Sequence, residues 1–257
     1  MLPAPLTFHI PQATPPNRTT PPGISARAGR TAPNPTQGCF NSGMASSPRS
    51  VIWPVVHDER RALIHDLEPL PEPLWETPSL CPGWDIHDVL AHVVDSAKTT
   101  RLGFIKRMIE ARFDFARDNA VGVEREKAKD PGRTLTALRA VVSRTSGPPA
   151  GNATRLVEAF VHGEDIRRPL GMTRNYPAEQ VALALGYQVK TTTRMGGGKE
   201  IAAGWRLVAT DTDFQHGDGP EVQGPAISLL LAVSGRPVSE DELTGPGAPV
   251  FLEQARP

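Results

Sequence analysis

Residues 156–165 read LVEAFVHGED, and the reading of this stretch decides the rest. Glu158, His162 and Asp165 stand four and three residues apart. On a helix that spacing stacks the three side chains along one face. Val161 and Ile166 flank the stripe closely, and Leu156 and Phe160 cover the far side. A helix that is apolar nearly all round is a buried one, and unpaired charge inside a protein is costly. The three groups therefore need a partner. Two kinds fit. One is a hydrogen-bonded Glu–His–Asp network that holds helices in register. The other is a divalent metal, gripped by an imidazole and a carboxylate one turn apart and completed by a ligand from a neighbouring helix.

His92, in DVLAHVVD, is the candidate for that further ligand. Its helix face also carries Asp85, Asp88, Asp95, Ser96 and Thr99, which suits a solvated surface and a polar cavity between helices equally. Of the remaining histidines, His57, His65 and His87 sit among charged neighbours and read as surface groups. His9 falls in the N-terminal tail and His216 in a glycine turn.

Around these helices the chain reads as four or five helices followed by a small mixed region. VVHDERRALIHDL forms a helix stopped by EPLPEP, and a Pro-containing loop with SLCPGW leads to a helix over residues 85–113 capped by Asp85. DFARDNAVGVEREKAKDPG is polar and suggests loop with a short helix, and RTLTALRAVVSRT is another helix ended by SGPPAG. The stretch 152–168 follows, terminated by Pro169 and Gly171, and then PAEQVALALGYQVKTTT with Pro177 near its first turn. After MGGGKE the period changes: WRLVAT and FQHGDGPEVQG are strand-like, and PAISLLLAVSGR is a short apolar helix ending at Gly235. The expected organisation is a tail over 1–50, a helical bundle over 51–190 and a mixed α/β region over 191–257. The tail is rich in Pro and Thr, and its first 37 residues hold no Asp or Glu. Such a segment is expected to be disordered, and Met44 is a plausible alternative start.

Bulk composition narrows the function. The 257 residues carry 28 basic and 28 acidic side chains, which offers no electrostatic footprint for nucleic acid or an anionic membrane. Two cysteines, Cys39 and Cys81, form neither a disulfide framework nor a CxxC pattern, so a reducing cytoplasm is expected. No apolar run reaches the length of a membrane span. MGGGKE lacks the spacing and following Ser/Thr of a phosphate loop, and GDGPEVQG does not open a helix, so tight turns account for both.

Three motifs in order, WETPSLCPGWDIHDVLAHVVD, LVEAFVHGEDIRRPLG and WRLVATDTDFQHGDGPEVQGPAISLLLAVSGRP, resemble the mycothiol-dependent maleylpyruvate isomerase family over residues 55–245. That actinobacterial group belongs to the wider DinB-like helical bundles. The resemblance implies a mainly α fold, a DinB-like four/five-helix bundle with a small C-terminal α/β region. It also implies a divalent metal, usually Zn2+, held by His92, Glu158 and His162. It implies mycothiol as the external thiol, added to a small-molecule electrophile in cis–trans isomerisation or thiol transfer. Asp165 would orient His162 or move a proton, Asp88 would do the same for His92, and Arg236 matches an arginine implicated in activity. A non-catalytic metal- or ligand-binding protein on the same fold is the alternative.

Overall fold

The computed structural model describes residues 48–255. Of the tail expected over residues 1–50, residues 1–47, with Met44, His9 and Cys39, lie outside the described residues, and the last three open the first helix. The first helix, α1 (Pro48–Leu67), buries Ile52, Val56, Leu63 and Leu67 along one face, and it ends just before EPLPEP. A 3-10 turn, Glu72–Glu76, seats Trp75 in the core. The SLCPGW loop then turns at Gly83, whose φ of 80° suits a residue without a Cβ.

Next, α2 (Ile86–Lys98) opens on a reciprocal capping box: Asp85 accepts from the Asp88 backbone N–H, and Asp88 accepts from that of Asp85. Ile86, Val89, Leu90 and Val94 are fully buried. The single helix expected over 85–113 is in fact two. Thr99 folds its hydroxyl back onto the Asp95 carbonyl, and Thr100 caps a new helix, α3 (Arg101–Glu110), through the Gly103 N–H. Adjacent threonines offer the backbone local hydrogen bonds that compete with helix continuation. The polar stretch after it is a regular helix, α4 (Phe115–Glu126), capped by Asp114. Then come α5 (Pro131–Val141), α6 (Ala153–Arg167) and α7 (Ala178–Gln188), each close to its expected bounds.

A 3-10 turn at Thr193–Met195 and the short α8 (Lys199–Ala202) lead into β1 (Arg206–Ala209), β2 (Gln215–His216) and β3 (Glu221–Gly224). Their spatial order is β2-β1-β3. Leu207 faces His216 in the antiparallel pair and Val222 in the parallel one. The apolar α9 (Ala226–Val233) is buried almost throughout. A final helix, α10 (Ala248–Gln254), was not anticipated; Phe251 and Leu252 anchor it. The glycines of MGGGKE serve close packing: a Cβ at Gly197 or Gly198 would overlap the Thr191 or Val233 carbonyl.

Two apolar clusters meet along α6. One joins Leu63, Leu90, Val94, Leu138 and Ile166 between α1, α2 and α5. The other joins Leu156, Phe160, Leu185, Leu207, Leu230 and Phe251 between α6, α7, the sheet and the last helices. The stripe of α6 is thus held between two cores. No helix among the described residues is long and apolar enough to cross a membrane.

Candidate metal centre

On α6, Leu156 and Phe160 on the far side and Ile166 beside the stripe are fully buried, and Asp165 is 0% exposed on the stripe. The central helix α2 packs against α6 and turns His92 toward that stripe. One ligand atom from each of His92, Glu158 and His162 falls within 4.8 Å of the others. The His92 and His162 rings meet edge-on with centroids 4.7 Å apart, and Trp84 packs against His92 at 5.2 Å.

His92 Nε2 lies 3.4 Å from Glu158 Oε1. That exceeds the roughly 2.7–3.2 Å of an N–H···O hydrogen bond. It does match the edge of a tetrahedron: donors about 2.0–2.2 Å from a common centre stand about 3.3–3.6 Å apart. The other carboxylate oxygen, Oε2, is taken by Arg155 Nη2 at 2.6 Å, and Arg155 Nη1 also donates to Ser96 Oγ at 2.7 Å. On the second ring, His162 Nδ1 donates to Asp165 Oδ2 at 2.8 Å, which leaves Nε2 with its lone pair. Two imidazoles and one carboxylate oxygen converge with no cationic side chain between them, and this donor set fits a divalent metal.

Asp165 is held from its other side by Arg236, whose Nε and Nη2 donate to its two oxygens at 3.0 and 2.9 Å. Burial pushes the Asp165 carboxyl up, but the bonds from His162 and Arg236 prevail and keep it below its ordinary value. Burial also opposes ionisation of Glu158; the Arg155 charge, with His92 and His162, overrides it and holds the group well below the carboxylate range. For His162, burial outweighs the Asp165 bond, so the ring titrates below its ordinary value and stays neutral, as a ligand must.

The structure also corrects several sequence readings. His87 is buried, with Nε2 2.8 Å from Thr134 Oγ1, not on the surface. Asp88 does not orient His92: its oxygens serve the Asp85 cap and Lys127 Nζ, the latter at 2.7 Å. His92 Nδ1 is buried with no hydrogen-bond partner among the described residues. The polar face of α2 is an ionic joint, with Asp95 accepting from Arg107 and Arg125. Sequence reasoning missed Arg155, three residues before Glu158, and Trp84 in the capping loop.

His92, Glu158, His162 and Arg236 open onto one cavity of about 740 Å3, formed by α2, α4, α6, α7 and the loops between them. Cys81 lines it too. Burial pushes that thiol up to about 11, so it stays protonated at neutral pH.

A family model described as Mycothiol maleylpyruvate isomerase N-terminal domain matches residues 56–147, the span from α1 through α5 that includes His92. No curated protein sequence matches the chain. Two solved structures share the fold. A mycothiol-dependent maleylpyruvate isomerase aligns with a TM-score of 0.52 at 16% identity over 78% of this chain and 94% of that one. A histidine-to-alanine mutant under the same name aligns with a TM-score of 0.54 at 15% identity and the same coverage. Over residues 56–147 the chain therefore matches the N-terminal domain model of the mycothiol-dependent maleylpyruvate isomerase family, and it shares the fold of those isomerases.

Proposed function

We propose that the protein is a zinc-dependent enzyme that uses mycothiol, activating this external thiol toward an electrophile for cis–trans isomerisation or thiol transfer. The observation that carries it is the convergence of one donor atom from each of His92, Glu158 and His162 within 4.8 Å of one another, with His92 Nε2 3.4 Å from Glu158 Oε1. When bound, zinc would lower the pKa of a thiol at its open position toward neutrality.

The chain's own residues set the stage for that chemistry. His92, Glu158 and His162 would hold the metal. Arg155 occupies Glu158 Oε2 and so leaves one oxygen to ligate. Asp165 fixes the His162 tautomer, and with every oxygen engaged and no exposure it orients the ring in preference to carrying a proton. Arg236 keeps Asp165 ionised. Burial pushes the Cys81 thiol in the same cavity up to about 11, which favours a thiolate from outside. With a single free thiol among the described residues and no disulfide, the cytoplasm is the compartment we assign.

The test is metal analysis of the purified protein, followed by cobalt substitution and titration with mycothiol. A thiolate-to-cobalt charge-transfer band should appear on adding the thiol. A protein that binds metal but shows no spectral change with saturating thiol would be a metal-binding bundle without thiol chemistry.

A further inference from the structure

The cavity above the donor set is unlike one built for a small dianion. We propose that the electrophile served by this site is an uncharged, largely apolar molecule of aromatic size and not a small dicarboxylate; this names the substrate class of the function proposed above and rests on it.

Charge is the first argument. Four guanidiniums line the cavity, and three are already neutralised. Arg107 donates to both oxygens of Asp95, at 3.0 and 2.8 Å, and to Asp118 at 2.9 Å. Arg155 is paired with Glu158, and Arg236 with Asp165. Asp95, Asp118 and Asp165 are 2, 3 and 0% exposed. A substrate carboxylate that took Arg107 would leave the buried Asp118 without its cation, and one that took Arg236 would leave Asp165 with His162 alone, both unfavourable exchanges. Arg194 is the only lining guanidinium without an ion pair among the described residues, and it is exposed, where ion pairs contribute little. Asp114 adds a further carboxylate to the lining.

Shape is the second. Trp84, Phe104, Phe115 and Tyr187 line the walls, and Phe113 and Met195, 67% and 47% exposed, stand where the cavity meets solvent. A volume of about 740 Å3 lies within the range of roughly 300–1,000 Å3 that buries ligands of drug size. It leaves room for an electrophile beside a thiol.

The backbone supplies a third and independent argument. Phe113 and its neighbour Arg112 have φ of 62° and 57°, the left-handed region that closes α3. The Phe113 N–H donates to the Met108 carbonyl, the reach-back bond of a helix terminus where glycine is the usual residue. Two side-chain-bearing residues held in this strained conformation fix a phenyl ring at the mouth instead of letting the turn relax.

Calorimetry on the full chain loaded with zinc tests the class, using benzylideneacetone, a neutral aromatic enone, against maleate. The enone should bind at least about tenfold more tightly than maleate. Phe113→Ala, at an exposed position, should weaken the enone about three- to tenfold without changing zinc content. Maleate binding as tight as the enone, enone binding indifferent to both Phe113→Ala and Met195→Ala, or no binding of either probe would overturn the proposal. The aromatic lining residues Trp84, Phe104, Phe115 and Tyr187 are not among the metal donors, so enone binding should survive in His162→Ala. A protein that binds the enone but never metal would retain the ligand class and remove the metal reading. One that holds zinc and prefers maleate would do the reverse.

Discussion

Helix α6 carries two buried sets of charge, and they differ in what they lack. Toward the core, Arg167 is 1% exposed and is met by Asp66 at 2.7 Å, Glu59 at 3.5 Å and the Tyr176 hydroxyl at 2.8 Å. Arg168 beside it takes Glu164 at 2.7 Å and both oxygens of Glu242 at 2.7 and 2.8 Å. Gly163 makes room for this set, since a Cβ there would lie 2.8 Å from Arg167 Nη1. Here cations and anions interleave, and only Arg167 Nη2 finds no hydrogen-bond partner among the described residues. Toward the cavity, Glu158, His162 and His92 present donors to one point with nothing cationic at it. Interleaved opposite charges hold a fold together; donors that converge from three side chains are arranged to hold a cation.

That contrast can be broken by experiment. The largest effect is expected from His162→Ala, which should bring metal content to background while the protein stays folded, since Asp165 keeps Arg236; metal analysis and a thermal melt on one sample decide it. If the melt collapses along with the metal, the two sets are not different in kind. Arg167→Ala should cost about 3 kcal/mol in a denaturant titration, because it removes a buried side chain bonded to Asp66 and Tyr176, although Glu59 keeps Arg174. Its metal affinity, measured where the protein is folded, should be unchanged.

Asp165→Asn sharpens the boundary, because this residue touches a donor without being one. It should weaken metal binding roughly 10–100-fold in competition with a chelator, and not abolish it. The smallest effect concerns Glu242. Burial works against its ionisation, but Arg168, Ser228 and the Ser239 N–H hold it at about 2, against an ordinary 4.5. A depressed carboxyl contributes stability above its unfolded value and loses it as pH falls toward the folded one. Wild type should therefore exceed Glu242→Gln by about 1–2 kcal/mol at neutral pH, and the gap should close between pH 4.5 and about 2. A gap that persists at the acid end would mean that Glu242 acts through packing.

The stripe itself was legible because helical spacing is a local property: three residues within eight positions suffice to place it. The apolar surround of α6 and the Asp85 cap were legible for the same reason. What escaped depends on partners distant in sequence. His87 looked like a surface group because Thr134, which holds it, is 47 positions away. Asp88 seemed free to serve His92 because Lys127, from the far end of α4, was not in view. The break at Thr99 and Thr100 needed the side-chain bonds to be seen, since either threonine alone is tolerated inside a helix. Arg236 came from the resemblance, not from any pattern near it, and Arg155 was overlooked although it precedes Glu158 by one turn.

The bond between Arg236 and Asp165 spans 71 positions of chain. It makes the orientation of one imidazole a property of the chain's last quarter. A protein cut after α9 would still spell all three donors in its sequence, yet one of them would hang from an aspartate with no counterweight. Inheriting the letters of this centre is therefore not the same as inheriting its aim.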